Sequence, residues 1–340
     1  MARTWARAVS RDAGSEGFAR MLDRAVFLAR QFARDQRPIT RRRRKLVREG
    51  MPMCELMAPP APPLAGWRQQ AKALFGEPDP GGPIWAVMMA QNEEVRVATP
   101  VRHLFDQGVD VVVVVDNLST DRTTEVLAEI ARELPLVVVD DRVSGFYQGT
   151  TVSRLARGAT RHGASWIVPV DADELWYGAG TSLADALRSS TGHILPAQLW
   201  DHLPRREDPD SVNPYLDLLR RTVDPATKLV AFRAHLLAGV HEGSHWVNRP
   251  GVVERGRLEV RHFPYLGFDH FRTKLRRGAA ALARTDLSAS TGTEWRAWGT
   301  ADDAGVAAAW DLQMARPTIE DPAPLGPGAV GSISETTAPC

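Results

Sequence analysis

Four short runs of apolar, mostly β-branched residues, separated by segments of helical periodicity, constrain the fold of this chain most. The runs are IWAVMMA (84–90), VDVVVVV (109–115), PLVVV (135–139) and SWIVPV (165–170). Each run is short, and each is followed by charged residues at helical spacing, which predicts strands alternating with helices. This alternation predicts an α/β fold, with a mostly parallel sheet covered by helices on both faces. The helices are expected at about 94–107, 121–133 and 150–162.

Each predicted strand ends in a polar cluster. The clusters read QNEE, DNLSTD, DDRVSGFYQG and DADE along the chain. Ligands of open parallel sheets bind beyond the carboxyl ends of the strands, so four such clusters predict one shared site. The chain has no GxGxxG and no GxxxxGK[ST] segment, which argues against a dinucleotide fold and a P-loop. A phosphate group bound here would need a metal ion.

The segment WIVPVDADELWYG (166–178) delivers three carboxylates to one spot. Like charges this close repel each other unless a cation or a proton relieves them. Asp171 and Asp173 are spaced so that a short loop can turn both onto one divalent ion, and hard oxygen ligands suit Mg²⁺ or Mn²⁺. The alternative is a solvated turn. The aromatic residues Trp176 and Tyr177 alongside the acids favour a formed pocket instead. A bound ion would bridge a diphosphate and neutralise its leaving charge.

These segments, taken in order, resemble family 2 type glycosyltransferases with a GT-A fold. The resemblance is carried by QNEE, VDNLSTDRT, FYQG with SRLA, WIVPVDADELW and HFPYLGFDHFRTKLRRGAAAL, over about residues 84–285. Leu118 departs from the small residue that is common at its position in the family. The resemblance implies an inverting hexosyltransferase-like enzyme that moves a sugar from a nucleotide-diphosphate donor to a glycan, lipid-linked or small-molecule acceptor.

The resemblance also implies roles for particular residues. The Asp-x-Asp segment would hold the metal, Mn²⁺ or Mg²⁺, and nearby histidines would complete its shell. The implied metal ligands are Asp171, Asp173, His245 and His262. The implied donor-binding residues are Asn92, Glu93, Asp116, Asn117, Asp121, Gln148, Arg154 and Asp171.

A direct displacement needs a base that takes the acceptor's proton. The residues leave two candidates, Glu242 in GVHEGSHWV and Asp201, and do not decide between them. Four basic residues of FRTKLRRG, namely Arg272, Lys274, Arg276 and Arg277, could meet a diphosphate. Their spacing spreads them around a helix, so most are expected to be solvated. Trp295 and other tryptophans could stack on sugar rings, although core packing explains most tryptophans.

Composition bounds the class of protein and its organisation. Lys+Arg 42 against Asp+Glu 41 gives no overall field that would favour nucleic acid, so no nucleic acid partner is expected. Two cysteines in 340 residues make a disulfide framework or a zinc site unlikely and a cytoplasmic location the expectation. Residues 1–83 are predicted to be a basic and Pro-rich appendage or an over-extended start, 84–315 the glycosyltransferase domain, and 316–340 a disordered tail. The basic run 41–45 could contact an anionic membrane peripherally.

Two other classes of function fit parts of the pattern. In a haloacid dehalogenase-like phosphatase a strand also ends in Asp-x-Asp, and the first Asp is the nucleophile. That motif expects Thr or Val where Leu175 stands, and it expects the first strand rather than the fourth. The other class is a non-catalytic nucleotide- or carbohydrate-binding module, against which the intact Asp171 and Asp173 argue.

Overall fold

The computed structural model describes residues 78–321, apart from the side chain of Leu229. Within them the chain alternates between strands and helices as far as β4, and strands dominate from there to residue 262. The strands are β1 Ile84–Ala90, β2 Val111–Asp116, β3 Leu136–Asp140, β4 Trp166–Val170, β5 Glu174–Gly178, β6 Ile194–Asp201, β7 Arg220–Thr222, β8 Ala226–Arg233, β9 Gly239–Val240, β10 Val247–Asn248, β11 Leu258–His262 and β12 Thr318–Glu320. The helices are α1 Ala98–Asp106, α2 Thr123–Ile130, α3 Gln148–Arg161, α4 Leu183–Arg188, α5 Pro214–Asp217, α6 Phe268–Ala283, α7 Thr293–Trp298 and α8 Asp303–Met314, and Glu242–Ser244 forms one 3₁₀ turn.

Eight of the strands form one sheet, in the order β3-β2-β1-β4-β8-β6-β11-β5. The four strands predicted from the sequence are neighbours in it, and β1 to β4 all pair in parallel. Their carboxyl ends therefore lie at one edge of the sheet, as the sequence predicts. The α/β class and the parallel sheet over this half of the domain are confirmed.

Alternate residues of the parallel strands enter two different cores. Ile84, Ala86 and Met88 of β1 pack in one cluster with residues of α1, α2 and α4. Trp85 and Val87 pack in a second cluster with residues of α3. Successive side chains of a strand point to opposite faces, so the sheet is covered by helices on both sides, as expected.

The second half of the sheet is antiparallel in three of its four pairings. The strand β8 pairs antiparallel with both β4 and β6, and β5 pairs antiparallel with β11. Only β6 and β11 run parallel, in a register that sets His262 opposite Asp201. Four of the seven pairings in the sheet are therefore parallel, so the sheet is mostly parallel, as predicted.

The helix predicted at 94–107 begins later, at Ala98. Residues before it form a turn that is closed by hydrogen bonds from the backbone N–H groups of Arg96 and Val97 to the carbonyl of Glu93. The carboxylate of Glu94 accepts a hydrogen bond from the backbone N–H of Arg122. Glu93 and Glu94 therefore connect the loop after β1 to the loop after β2, and they do not form the first turn of the helix.

The C-terminal boundary also differs from the prediction. Residues 316–321 do not form a tail, because β12 pairs antiparallel with β7 and the carboxylate of Asp321 forms ion pairs with Arg221 and Arg261. Residues 322–340 and nearly all of the predicted appendage 1–83 lie outside the described part of the chain. Among residues 78–321 no helix is long and apolar enough to cross a membrane.

Candidate functional site

A pocket of about 530 Å³ opens at the carboxyl edge of β1, β2 and β4. The start of α3, the turn 242–245, the end of β11 and the helices α6 and α7 complete its wall. It brings together eight of the thirteen residues predicted for the site: Glu93, Asn117, Gln148, Asp171, Asp173, Glu242, His245 and His262. The other five, Asn92, Asp116, Asp121, Arg154 and Asp201, do not line it.

Asp171 follows β4 directly and faces the pocket with both oxygens engaged. Its Oδ1 accepts a hydrogen bond from Nε2 of Gln148 at 2.7 Å, and its Oδ2 lies 2.8 Å from Nζ of Lys228. Lys228 comes from β8, the antiparallel neighbour of β4. The sheet therefore supplies a cation to the first aspartate of the motif from a strand that the sequence did not link to it.

Glu174, the third carboxylate of the segment, is a structural residue. It is buried, and its oxygens lie 2.6 and 2.7 Å from Nζ of Lys228, which is fully buried. It also accepts hydrogen bonds from the indole N–H of Trp176 and the backbone N–H of Asp171. Burial would lower the pKa of Lys228, but Asp171 and Glu174 overcome it and raise that pKa, so the lysine stays charged. The repulsion expected among the three acids is thus relieved in part by a buried lysine.

Asp173 is buried among cations. Its Oδ2 lies 2.8 Å from Nζ of Lys274 on α6 and 3.5 Å from Nη1 of Arg96. Burial alone would raise the pKa of Asp173, but Lys274, His262 and Arg96 hold it well below its ordinary value. Arg96 is itself only 1% exposed and also pairs with the carboxylate of Glu93, so it fixes two predicted site residues at once.

His262, at the end of β11, lies between two carboxylates. Its Nδ1 is 2.6 Å from Oδ1 of Asp201, and its Nε2 is 3.6 Å from Oδ1 of Asp173. Burial would lower the pKa of His262, but the two aspartates overcome it and raise that pKa to about 10. The imidazole is therefore in its positively charged form, with both ring nitrogens protonated, at neutral pH in the ligand-free protein.

Asp201 lies behind His262 and away from the pocket. Its second oxygen is 2.6 Å from Nη2 of Arg316, the residue between α8 and β12. With both oxygens engaged and no contact with the pocket, Asp201 is placed to orient His262 rather than to reach an acceptor. This placement argues against the candidate base role of Asp201.

Asn92 and Asp121 hold the first two strand-end loops together. Oδ1 of Asn92 accepts a hydrogen bond from the backbone N–H of Thr120 at 2.7 Å, and both oxygens of Asp121 accept from backbone N–H groups of residues 94 and 123. Leu118 adopts a positive φ of 61° in the same loop, where the family commonly has a small residue. These contacts give both predicted donor residues a structural role, and Arg154 lies on α3 outside the pocket lining.

Asp116 and Asn117 end β2 beside the pocket. Both are buried, and the amide of Asn117 donates hydrogen bonds to the carbonyls of Asp141 and Val143. Oδ2 of Asp116 accepts a weak hydrogen bond of 3.2 Å from Thr124, whereas its buried Oδ1 has no hydrogen-bond partner among the described residues. A buried acceptor without a donor is costly, so Oδ1 is suited to a donor that a ligand brings.

Glu242 lines the pocket on the 3₁₀ turn Glu242–Ser244. Its Oε2 accepts a hydrogen bond of 2.9 Å from the backbone N–H of Gly149, near the start of α3. A Cβ at Gly149 would lie 2.8–2.9 Å from backbone atoms of Val240, His241 and Glu242. Glycine therefore lets the helix approach the turn closely enough to fix Glu242.

The basic residues of α6 divide between the pocket and the outer surface. Arg272 and Arg276 pair with Asp269 and Asp303 and do not line the pocket. Lys274 and Arg277, which are three residues apart on the helix, do line it. Helical spacing alone could not decide which pair faces inward, because the orientation of α6 is set by its packing.

Two of the candidate metal ligands are neighbours. Oδ1 of Asp173 and Nε2 of His262 lie 3.6 Å apart, farther than the about 3 Å that separates two atoms bound at right angles, at about 2.1 Å, to one ion. Among residues 78–321 no group of three His, Cys, Asp or Glu side chains is arranged to hold a metal. Asp173 and His262 could supply at most part of a shell, and substrate phosphates and water would have to complete it. Asp171 and His245 stay predicted ligands.

Part of the chain matches a family model. Residues 85–180, from β1 through the end of the DADE segment and β5, match the model described as glycosyl transferase family 2. The predicted resemblance and the enzyme class are confirmed over these residues. The sheet that they form extends beyond the match, because it includes β6, β8 and β11.

Solved structures resemble the chain distantly. S. aureus TarS 1–349 is 17% identical over 61% of this chain and 67% of that chain, with a TM-score of 0.35. Glucosyl-3-phosphoglycerate synthase from Mycobacterium tuberculosis, in complex with Mn²⁺, UDP and glucosyl-3-phosphoglycerate, is 20% identical over 40% of this chain and 49% of that chain, with a TM-score of 0.25. No curated protein matches the chain significantly.

Proposed function

We propose that the chain transfers a sugar from a nucleotide-diphosphate donor to an acceptor, in a reaction that depends on a divalent ion and inverts the anomeric centre. The convergence of the polar ends of β1, β2 and β4 on one pocket, which the carboxylate of Glu242 also lines, carries this proposal. A glycosyl transferase domain needs these two parts, a place for the donor and a group that takes the acceptor's proton.

The nucleoside would bind at the end of β2. Oδ1 of Asp116 is a buried acceptor without a hydrogen-bond partner among the described residues, and Asn117 beside it lines the pocket. An N–H group of the nucleobase or a ribose hydroxyl would satisfy that oxygen, which the protein alone leaves unpaired. Gln148 would assist by holding Asp171 through the 2.7 Å hydrogen bond.

The diphosphate would lie near Asp173 and His262, which are two of the predicted metal ligands. When bound, Mn²⁺ or Mg²⁺ would neutralise the charge that develops on the departing diphosphate. Asp201 pairs with Nδ1 of His262 and thereby orients the ring, so that Nε2 faces Asp173. Because the metal-free imidazole is protonated, metal binding must release that proton.

Glu242 is the better of the two candidate bases. It lines the pocket, and the hydrogen bond from Gly149 fixes its position. A carboxylate at this place can take the proton of an acceptor hydroxyl as that oxygen attacks the anomeric carbon. Inversion follows from a single displacement of this kind.

A thermal-shift panel of nucleotide-diphosphate sugars, with and without Mn²⁺, tests the proposal. A donor that binds the folded state raises the melting temperature by mass action, and the proposal expects Mn²⁺ to enlarge the shift. Glu242→Gln should keep the shift and lose transfer, whereas Asp173→Asn should lose the Mn²⁺-dependent part of the shift. A chain that binds donors but transfers no sugar to any acceptor would be a binding module instead.

The remaining expectations stay predictions. The basic run 41–45, on which peripheral membrane contact depends, lies outside the described residues, as does most of the predicted appendage. A cytoplasmic location is likewise predicted from the sequence alone, and the sequence leaves the class of acceptor open.

A further inference from the structure

Arg277 lines the pocket without any role inside the protein. Its side chain is half-buried, and it makes no hydrogen bond or ion pair with any residue that the structure describes. The other arginines of α6 have such partners: Arg272 and Arg276 pair with aspartates, and Arg284 donates to the carbonyl of Ala280. A guanidinium has five N–H donors, so an unpaired one on a pocket wall is suited to an anion.

The carboxylates of this pocket region do not need Arg277. Asp173 already lies beside Lys274 and Arg96, and Glu93 already pairs with Arg96. Glu294 also lines the pocket, and no ion pair joins it to Arg277. Asp173 and Glu93 are therefore paired with other cations, and neither uses the charge of Arg277.

The position of Arg277 limits the anion that it can meet. It lies one helical turn beyond Lys274 on the same face of α6, about 4.5 Å along the helix axis. Nζ of Lys274 is 2.8 Å from Oδ2 of Asp173. Gly278 and Ala281, which line the pocket next to Arg277, carry no large side chain, and Gly278 lies against the ring of Trp295. An anion bound by Arg277 would thus lie near the motif aspartate rather than at a remote surface.

We infer that Arg277 binds the diphosphate of the nucleotide donor, with Lys274 as the residue that positions Asp173 beside it. This inference rests on the proposed function for the identity of the ligand. The planar fork of a guanidinium matches phosphate oxygens in a bidentate way, which an ammonium group cannot do. Arg277 thereby stabilises the leaving group from the helical wall of the pocket.

Calorimetric titration with nucleoside diphosphates, the matching monophosphates and inorganic pyrophosphate tests the inference. Arg277→Ala should weaken binding of the preferred diphosphate about 10- to 100-fold, the loss expected for charged hydrogen bonds, and the monophosphate much less. Arg277→Lys should recover part of the affinity. Arg276→Ala is the matched control, because Arg276 is adjacent on the same helix but pairs with Asp303, and its affinities should stay within about twofold.

Two outcomes separate the inference from the proposed function. Equal diphosphate affinity in Arg277→Ala and the parent, or an equal loss for diphosphate and monophosphate, would overturn the inference. Pyrophosphate binding that Arg277→Ala weakens, in a protein that binds no nucleoside diphosphate, would overturn the proposed function and support the anion site. Melting temperatures of the Arg277 variants should match that of Arg276→Ala.

Discussion

The imidazole of His262 lies 2.6 Å from the carboxylate of Asp201, on the side opposite to Asp173. The parallel register of β6 and β11 places these two residues directly opposite each other. Arg316 holds the far oxygen of Asp201, so three residues from distant parts of the chain fix one imidazole at the pocket. A histidine that ligates a metal commonly has a carboxylate behind it in this way.

Removing the charge of Asp201 should lower the pKa of His262. The aspartates overcome burial and hold this pKa at about 10, so Asp201→Asn should move it toward the ordinary value of about 6.5. Histidine ¹⁵N chemical shifts followed over pH 5 to 10 measure the change, with the resonance assigned by its loss in His262→Gln. Asp303→Asn, which removes the exposed carboxylate at the start of α8 that pairs with Arg276, should leave the titration unchanged. An unchanged titration in Asp201→Asn would contradict the assigned contact.

Replacing Lys228 with Met should destabilise the fold by about 3–5 kcal/mol, because Asp171 and Glu174 would lose their buried cation. Urea unfolding measures the loss. Adding Glu174→Gln to Lys228→Met should recover much of it, since one buried charge is then removed with its partner.

The exposed pair of Arg188 and Asp110 provides the control for Lys228. Its atoms lie 3.3 Å apart at the surface, so Arg188→Ala should cost less than about 1 kcal/mol. A similar loss in Arg188→Ala and Lys228→Met would mean that burial does not distinguish the two pairs.

Gly149→Ala should reduce the rate of sugar transfer more than it reduces donor binding. The added Cβ would contact backbone atoms of residues 240–242 at 2.8–2.9 Å and push Glu242 away from the start of α3. Alanine would otherwise stabilise a helix by up to about 1 kcal/mol relative to glycine. Steady-state kinetics give kcat and KM, and Gly81→Ala, where a Cβ meets only Asp79 at 3.5 Å, should behave as the parent. Unchanged kcat in Gly149→Ala would separate Glu242 from the chemistry.

Stability should fall as the pH is lowered from 6.5 to 4.5. Burial lowers the pKa of His103 and of His202 to about 4, so both are neutral in the folded protein. Below about pH 6.5 the unfolded chain binds protons that these two histidines cannot accept when folded, and the stability present above that pH is lost progressively. Each contributes a slope of about 1.4 kcal/mol per pH unit. Urea unfolding at several pH values should show a shallower slope in His103→Gln.

A chain of residues 78–321 should fold and bind nucleotide, whereas one that ends at residue 315 should be less stable. The shorter chain lacks β12, the Asp321 ion pairs and the contact of Arg316 with Asp201. Circular dichroism and calorimetry with a nucleoside diphosphate measure both properties. Equal melting temperatures would show that residues 316–321 add nothing to the domain.

The first half of the fold could be predicted because its signal is local. The runs that became β1 to β4 are apolar over nearly their whole length, and both of their faces are buried. By contrast, β11 alternates apolar with polar residues, and its register next to β6 depends on contacts far apart in sequence. No local pattern states that β8 lies between β4 and β6.

The sequence could predict the site residues that follow directly after strands. It could not predict the cations that neutralise those residues. The sequence predicts Asp171 and Asp173 from their place after β4. The cations that pair with them come from 57 and 101 positions away, on β8 and α6. Likewise, the sequence alone could not separate Asp201 from Glu242, because only the register of β6 turns Asp201 toward His262 and away from the pocket.

The contact between Arg316 and Asp201 also orders events during synthesis of the chain. A ribosome makes proteins from the N-terminus, and domains begin to fold as they emerge. The strands β1 to β6, β8 and β11 are all complete before residue 316 has been added. A nascent chain can therefore hold a formed sheet while Asp201 still lacks its arginine, and the orientation of His262 is among the last features of the site to be secured.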